Sequence, residues 1–282
     1  MITLLCDSHG IGYRAAHSTG ALDSGIAFGF LSTILQLSER YCTNRFVFAW
    51  DGPGSLRKKL FPEYKASRNV KTQEEVAERM MIHTQFNSLR QNILPALGFF
   101  NNLFQPGFEA DDLIAQTIID NPNQQFMVVS SDHDLFQLLQ YKNCKGQHLL
   151  SSGKMVTASS FMAEYQVTAR EWATVKSIAG CGGDGVPGIP GIGEKTAIKF
   201  LMGGLPNGKK KANIYADTPL IHFNYKLVRL PFPGLKSIKS IGKDSFDEKT
   251  VQEVFSDLGF NSFVAGEQRE RWNRFCRGEF LR

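Results

Sequence analysis

Carboxylates crowd the first turn of one predicted helix. Glu109, Asp111 and Asp112 open an apolar-periodic segment that follows Phe108. Glu109 and Asp112 are three residues apart and share a helix face, whereas Asp111 lies about 100° from its neighbour. Acids in a first turn also complement the helix dipole. The triplet alone therefore fits either an ordinary helix N-terminus or the start of a chemical site.

Further aspartates follow short apolar runs that are typical of buried strands. They are Asp7 after residues 2–5, Asp51 after 45–50, and Asp132 and Asp134 after 125–131, with Asp184 further along the chain. None of these acids is needed to cap a helix. Because the carboxyl ends of parallel strands form one edge of a sheet, we expect these aspartates and the helical triplet to form a single site.

Such a site needs cations, because neighbouring carboxylates repel one another and are otherwise pushed towards protonation. Oxygen ligands without paired His or Cys favour Mg²⁺ or Mn²⁺ over Zn²⁺. Two such ions a few Å apart typically serve in-line attack on a phosphodiester. His133 lies between Asp132 and Asp134, but the ligand set is complete without it, and we expect it to be structural or solvent-facing.

Cations interleaved with an aromatic residue follow Asp51. Lys and Arg bind phosphates and Tyr offers a stacking face, a combination that suits a nucleic acid strand. An ordinary solvated loop is the alternative, and the position just after a site aspartate favours nucleic acid. The residues are Arg57, Lys58, Lys59, Tyr64, Lys65, Arg68 and Lys71.

A glycine-rich element occupies residues 185–197. Glu194 separates Gly193 from Lys195, so the G-x-x-x-x-G-K-[ST] pattern of an ATP-binding loop is absent. A glycine hairpin that opens a helix can instead hold a backbone phosphate on its free N–H groups without reading bases. The element therefore predicts binding to duplex of any sequence, through Gly188, Gly191, Gly193, Lys195 and Thr196.

The elements that must position these residues alternate between strands and helices. Helical patterns lie at about 22–41, 73–96 and 109–120, the first with Asp23 or Ser24 as N-cap. This alternation predicts an α/β fold with a mostly parallel central sheet flanked by helices. From about residue 158 the pattern changes to helical segments broken by Gly and Pro, with residues 209–211 in a glycine-rich turn.

Composition excludes several classes of protein. The 282 residues are 42% hydrophobic, which is enough for a core and argues against disorder. The five cysteines are scattered without a C-x-x-C pair, so we expect neither a disulfide framework nor a zinc cluster, and a reducing, cytoplasmic setting. No apolar stretch approaches the ~20 residues that span a bilayer.

In order along the chain, these motifs resemble the 5′ nucleases, the family of the 5′-3′ exonuclease domain of bacterial DNA polymerase I and of freestanding phage and bacterial flap endonucleases. Each motif alone is weak, but the ordered set is specific and covers nearly the whole chain. The motifs are Asp7, Asp51-Gly52, the PEYK of 62–65, the FEADD of 108–112, the SDHD of 131–134, the glycine-rich 187–197 and the NYKLVRL of 224–230.

The resemblance implies a PIN-like core over 1–167, with a helical arch at about 61–98. A helical DNA-binding subdomain would follow over 168–282, with a helix-three-turn-helix at about 178–203. The implied activity is metal-dependent hydrolysis of phosphodiesters at 5′ flaps or 5′ ends of DNA, in replication or repair, with RNA in RNA–DNA hybrids as a further substrate class. The implied protein is a monomer that is coupled in trans to a DNA polymerase or a single-strand-binding protein.

The resemblance also implies roles for single residues. Lys65 would reach the scissile phosphate, Tyr64 would stack on the adjacent base, and Arg68, Arg57 and Lys58 would contact DNA. The helix-three-turn-helix would hold K⁺ on backbone carbonyls. The first Mg²⁺ or Mn²⁺ would lie at Glu109, Asp111 and Asp112, with Asp7 and Asp51 helping through water, and the second at Asp132, Asp134 and Asp184.

One departure from the family pattern concerns the second ion. Cys181 stands where relatives carry an aspartate, and Gly185 replaces the usual asparagine. Since a neutral thiol is a poor ligand for Mg²⁺, the second ion should bind more weakly. Two alternatives stay open: a branched-DNA-binding relative with a weakened metal site, and a PIN-type RNA nuclease. The remaining acids argue against the first, and the expected arch and glycine hairpin against the second.

The net charge of the whole chain understates the positive charge outside the expected site. The chain carries 32 Lys and Arg against 27 Asp and Glu, a formal +5. Without the eight expected site acids, 19 acids face 32 cations, which leaves +13 on the remainder. That remainder is the charge that we expect a DNA backbone to meet.

Overall fold

A six-stranded sheet forms the centre of the molecule. The computed structural model describes residues 1–19, 24–68, 72–239 and 241–280. Among these described residues the strand order is β3-β2-β1-β4-β5-β6, and only the β5–β6 pairing is antiparallel. The prediction of a mostly parallel sheet is therefore confirmed. The strands are β1 (Ile2–Asp7), β2 (Phe46–Trp50), β3 (Asn102–Phe104), β4 (Gln125–Val129), β5 (Cys144–His148) and β6 (Met155–Val156).

Helices connect the strands and make up most of the second half. Within the described residues, no helix is long and apolar enough to cross a lipid bilayer. The α-helices are α1 (Ser8–Thr19), α2 (Gly25–Tyr41), α3 (Leu56–Leu60), α4 (Gln73–Ser88), α5 (Leu94–Ala96), α6 (Ala110–Asp120), α7 (Ala158–Tyr165), α8 (Trp172–Ala179), α9 (Glu194–Leu201), α10 (Lys209–Ala216), α11 (Thr218–Val228), α12 (Glu248–Asp257) and α13 (Gly266–Arg277).

Alternate residues of the strands belong to two hydrophobic cores, one on each face of the sheet. In β2, Phe46 and Phe48 belong to one core, whereas Val47 and Ala49 belong to the other. The first core is covered mainly by α2, α4 and the C-terminal helices, and the second by α6, α8 and α9. Burial on both faces explains why β1, β2 and β4 are continuous apolar runs in the sequence.

The last two helices pack on the sheet rather than on the preceding helices alone. Phe255 of α12 and Trp272 and Phe275 of α13 are buried in the same core as Phe46 and Phe99. The hydrophobic core therefore crosses the expected division between 1–167 and 168–282.

Some local predictions differ from the structure. The predicted helix at 73–96 is interrupted by a π-helical turn at Leu89–Ile93 before α5. The predicted glycine-rich turn at 209–211 is wrong, because Lys209 begins α10. Ser24 occupies the N-cap position of α2 without a side-chain cap bond, and Asp23 lies outside the described residues.

Candidate active site

Four aspartates converge at the carboxyl edge of the sheet. Asp7 ends β1, Asp51 follows β2, and Asp132 lies just beyond β4, while Asp111 belongs to the first turn of α6. Burial and repulsion from Asp132 and Asp7 raise the pKa of Asp111 well above its usual value. Burial, and then repulsion from Asp51 and Asp132, raises the pKa of Asp7 to about 6. The structure thus brings these four predicted residues together, and we call them the open acids.

Backbone and hydroxyl donors hold the open acids in place. One carboxylate oxygen of Asp7 accepts from the Gly10 amide at 3.0 Å and the other from the Ser130 hydroxyl at 2.9 Å. Asp51 accepts from the amide of Ala110 at 2.8 Å, which ties the end of β2 to the start of α6. Ser130 was not identified from the sequence, although a polar residue at the end of an apolar strand was the available signal.

His9 is a second residue that sequence reasoning missed. Its Nδ1 accepts from the Asp51 amide at 3.1 Å, and its ring packs edge-on against Trp50 and Phe86. Burial lowers the pKa of His9, so the imidazole is neutral near pH 7 and its 3.5 Å contact with the Asp51 carboxylate is no ion pair. His9 therefore orients Asp51 without neutralising it.

Lys65 reaches the site from the loop that follows α3. Its Nζ donates to Glu109 at 2.9 Å, and its backbone N–H donates to the carbonyl of Asp184 at 2.8 Å. Burial alone lowers the pKa of Lys65, but Glu109 and Asp184 more than offset it and raise the pKa above its usual value. A charged ammonium therefore lies close to Glu109, Asp184 and Asp51.

Tyr64 does not offer the exposed stacking face that the sequence suggested. Its side chain is only 3% exposed, in a small apolar cluster with Cys181 and Val186. The hydroxyl lies 3.0 Å from a Glu109 oxygen and 3.2 Å from an Asp184 oxygen. In this structure Tyr64 positions carboxylates, and the prediction of base stacking is corrected.

The roles predicted for Arg57 and Asp112 are also corrected. The Arg57 guanidinium forms a bidentate pair with Asp112 at 2.6 and 2.7 Å, and both side chains are buried. Asp112 further accepts from the amides of Glu109 and Phe232. Since both of its oxygens are engaged twice, Asp112 has no place for a metal ion, and Arg57 cannot reach a DNA phosphate.

Two of the three acids predicted for a second ion, Asp134 and Asp184, are held by protein cations. Asp134 lies 3.1 Å from Lys176 Nζ and 3.7 Å from the Cys181 thiol, and Arg68 pairs with Asp184 at 2.5 Å. Burial and repulsion from Asp132 raise the pKa of Asp134 to about 6 in spite of Lys176. His133, between these acids, stacks on Phe136 and remains outside the site.

A cleft of about 840 Å³ opens beside the open acids, and in the described part of the chain Asp51 is the one of the four that lines it. Its lining also includes Glu109 and His9, with Glu75, Glu78 and His83 of α4. Lys71, which was expected among its cations, lies outside the described residues. The cationic side chains that line the cleft are Lys58, Lys65, Arg68, Arg79 and Arg90.

The glycine-rich element connects α8 to α9, with its residues in different situations. Gly188 packs against α8, where an added Cβ would lie 1.9 Å from the carbonyl oxygen of Ala179. Gly191 has a φ of +75°, and Gly193 is the N-cap of α9; a Cβ at either would meet open space. Lys195 is exposed and Thr196 half-buried in the first turn of α9. Packing alone thus accounts for Gly188, whereas Gly191, Gly193 and Lys195 are exposed.

The donor set of the open acids fits a hard divalent cation. In the described residues, no Lys or Arg lies within ion-pair distance of Asp7, Asp51, Asp111 or Asp132. Four unneutralised carboxylates with raised pKa values for Asp7 and Asp111 favour a bound cation. As the side chains stand, the same part of the chain contains no group of three or more His, Cys, Asp or Glu that could hold a metal ion, so at most two of the open acids could bind one ion directly and water would supply the other ligands.

Comparisons with known proteins agree with this architecture. Residues 2–167 match the family described as "5'-3' exonuclease, N-terminal resolvase-like domain". DNA polymerase I of Mycobacterium bovis is 30% identical over 91% of the chain, which spans 30% of that polymerase.

Solved structures share the fold at lower identity. A zinc-bound 5′-exonuclease of T5 superposes with a TM-score of 0.72 and 20% identity over 98% of this chain and 97% of its own. Human GEN1 in complex with Holliday junction DNA gives a TM-score of 0.60 and 14% identity over 92% of this chain and 68% of its own. The match over residues 2–167, which is more than half of the sequence, shows that the chain belongs to the 5′-3′ exonuclease family of nucleases.

Proposed function

We propose that the chain is a divalent-metal-dependent 5′ nuclease that hydrolyses phosphodiesters at 5′ flaps and 5′ ends of DNA. The cluster of open acids, which adjoins through Asp51 a cleft lined in the described residues by five Lys and Arg side chains, carries the proposal. Membership of the 5′-3′ exonuclease family supports it, as does the structural likeness to a metal-bound exonuclease and a DNA-bound nuclease.

The open acids are the residues that would hold the first Mg²⁺ or Mn²⁺, together with Glu109. Such an ion supplies a water of lowered pKa as nucleophile and stabilises charge on the phosphate. Asp132, Asp134 and Asp184 would hold a second ion, more weakly because Cys181 replaces a carboxylate. Asp132 is shared between the two positions, since it is the second-position acid without an ion pair in the described residues.

Lys65 is the residue that would bind the scissile phosphate. Lys65 lines the cleft, and its ammonium donates to Glu109, 2.9 Å away. An incoming phosphate would compete with Glu109 for this ammonium, and Glu109 is one of the carboxylates that would hold the first ion.

Substrate binding beyond the cleft falls to two elements. The segment over 61–98, with α4 as its main helix, would form an arch that admits a single strand, and Arg79 and Arg90 face that path. Gly191, Gly193, Lys195 and Thr196 would hold duplex phosphates at the start of α9, with K⁺ on nearby carbonyls. Neither contact reads a base, so the substrate is defined by structure rather than by sequence.

The biological setting that follows is replication or repair. DNA with 5′ flaps or ends is the main substrate, and RNA–DNA hybrids are a secondary one. The protein would act as a monomer beside a DNA polymerase or a single-strand-binding protein.

The test incubates a 5′-flap duplex and a blunt duplex with the protein in Mg²⁺, Mn²⁺ or EDTA, for wild type and Asp111→Asn. We expect wild type to cut the flap only with a divalent ion, and Asp111→Asn to be slower by at least about 10²-fold. Binding without cleavage would favour the catalytically weakened relative. Preference for RNA without any DNA cleavage would favour a PIN-type RNA nuclease. Undiminished cleavage by Asp111→Asn would contradict the site assignment.

A further inference from the structure

A second cavity, of about 620 Å³, lies on the surface outside the active-site cleft. Its lining combines cations with aromatic and apolar side chains, and none of the described residues that line it is acidic. We call this surface the α11 patch; it consists of Leu60, His222, Tyr225, Lys226, Arg229, Phe232 and Pro233.

The α11 patch rests on a fixed foundation. The buried Arg57 guanidinium donates to the carbonyl of Leu227 at 2.8 Å and lies 5.0 Å from the centre of the Phe232 ring. The same guanidinium pairs with Asp112, which also accepts from the amide of Phe232. The patch is therefore preorganised, because these bonds lock α3, α6, α11 and the segment after α11 together.

The cations of the α11 patch form no ion pair with the described residues of the protein. Lys226 and Arg229 are exposed, and no acidic side chain in the described residues lies within ion-pair distance of either. Arg277 of α13, by contrast, pairs with three glutamates. Unpaired cations beside one another favour a phosphate ligand over a structural role.

An exposed aromatic ring and an exposed aliphatic side chain beside these cations indicate which class of phosphate ligand the patch binds. Tyr225 is 39% exposed and Leu60 43% exposed, although both have large apolar surfaces. A base of an unpaired strand can stack on such a ring, whereas the bases of a duplex are already stacked on one another. We propose that the α11 patch binds an unpaired nucleic-acid strand, with phosphates on Lys226 and Arg229 and a base on Tyr225.

The position of the patch identifies this strand as part of the nuclease substrate. Lys58 lines the active-site cleft and Leu60 lines the α11 patch, and both belong to the five-residue helix α3. A strand that leaves the cleft past α3 reaches the patch directly. The inference rests on the proposed function for the identity of the strand, but binding at the patch can be measured without cleavage.

The experiment measures binding by fluorescence anisotropy in EDTA. The probes are a short blunt duplex and the same duplex with an unpaired oligothymidine extension on either end. We expect Tyr225→Ala to weaken binding of an extended duplex by roughly fivefold to a hundredfold, with Tyr225→Phe close to wild type. Lys226→Ala should reduce the salt slope for the same probe by about 0.7. Lys142→Ala, an exposed lysine before β5 at the amino edge of the sheet, is the matched control.

Each outcome decides the question. Equal losses on the blunt and extended probes would overturn the proposal in favour of a duplex contact, and the absence of any loss would overturn it outright. Thermal unfolding of each variant checks that the fold is retained, and Tyr225→Phe separates stacking from folding. If wild type cuts no DNA but the variants still lose the extended probe selectively, the proposed nuclease activity fails while the patch stands.

Discussion

At the scale of single residues, we expect Cys181 to limit the number of cations that the site holds. Its thiol lies 3.7 Å from Asp134, which already pairs with Lys176. Burial, and then repulsion from Asp134, raises the pKa of this thiol, so that it remains neutral at pH 7. We expect Cys181→Asp to add a hard oxygen ligand and to raise the number of Mn²⁺ ions bound, as counted by electron paramagnetic resonance.

The control for this change is Cys181→Ser, which stays neutral and has nearly the same size. Cys181→Asp should also lower the Mg²⁺ concentration at half-maximal cleavage, whereas Cys181→Ser should not. Identical Mn²⁺ stoichiometry and identical Mg²⁺ titrations in the two variants would show that residue 181 does not control the second ion.

The protonation of Asp7 gives a pH dependence of stability in the metal-free protein. Its pKa rises from 3.8 to about 6 on folding, mainly through burial. Between these values the folded protein holds a proton that the unfolded chain has lost, so the stability that Asp7 contributes is complete below about pH 4 and is lost as the pH rises to about 6. His9, with its lowered pKa, acts in the opposite sense near pH 6.

The comparison of wild type with Asp7→Asn isolates the Asp7 contribution. In EDTA, the difference in melting temperature between the two should change in favour of Asp7→Asn as the pH is raised from about 4 to about 7. Mg²⁺ should restore wild type at pH 7 and have little effect at pH 4. A difference that is independent of pH would show that Asp7 titrates normally.

At the scale of elements, Arg57 fastens α3 to α6 and α11. Loss of this side chain leaves the Asp112 carboxylate buried without its partner and the Leu227 carbonyl without its donor. We expect Arg57→Ala to reduce the free energy of unfolding by about 3–5 kcal/mol in urea denaturation. Lys58→Ala, its exposed neighbour, should change it by less than about 0.5 kcal/mol. A stable Arg57→Ala that binds DNA as weakly as Lys58→Ala would restore the original view of Arg57 as a DNA contact.

Substitutions at two glycines between α8 and α9 should have different effects, one on packing and the other on ligand binding. A Cβ at Gly188 would overlap the backbone of Ala179, whereas at Gly193 it would enter open space in front of α9. Gly188→Ala should therefore destabilise the fold by roughly 1–3 kcal/mol. Gly193→Ala should remain folded but bind duplex DNA more weakly, because its methyl group obstructs a phosphate at the helix N-terminus. Melting curves and duplex anisotropy measure the two effects, and unchanged duplex binding by Gly193→Ala would contradict this use of the helix.

Most of the central sheet could be predicted because its strands are continuous apolar runs. β1, β2 and β4 lie where those runs indicated, and the fold class and the family are confirmed. β5 was not predicted, since its sequence CKGQH is polar. It is buried because Gln147 donates to the carbonyls of Ser130 and Asp132, a match that exists only after folding. α1 was missed because Gly10 and Gly12 weaken its helical signal.

The location of the candidate site could be predicted from the sequence, but the ion pairs within it could not. The convergence of Asp7, Asp51 and Asp132 follows from parallel strands that end at one edge. The pair between Arg57 and Asp112 joins residues 55 positions apart, and although helical spacing places Asp111 and Asp112 on different faces, it does not reveal which face meets Arg57. Tertiary contacts, rather than local pattern, therefore decide which acids stay open.

At the scale of the whole molecule, the structure reduces the charge separation that the sequence suggested. Glu109, Asp134 and Asp184 pair with Lys65, Lys176 and Arg68, as Asp112 does with Arg57. These acids cannot be set aside without their cations. Without the four open acids alone, 23 acids face 32 Lys and Arg, which leaves +9 rather than +13.

This division of charge predicts that the acids needed for catalysis oppose binding when no metal is present. Asp132 is exposed at the carboxyl edge of the sheet, where its charge helps to raise the pKa of Asp111. In EDTA, Asp132→Asn should bind flap DNA a few-fold more tightly than wild type, because one repulsive charge is removed while the Asp134 amide keeps its acceptor. The gain should shrink as salt is raised towards about 1 M, where the Debye length falls to about 3 Å. In Mg²⁺ the order should reverse and cleavage by Asp132→Asn should fall. Anisotropy over a salt series, in EDTA and in Mg²⁺, measures both effects, and an Asp132→Asn variant that binds more weakly than wild type in EDTA would show that the open acids do not face the substrate.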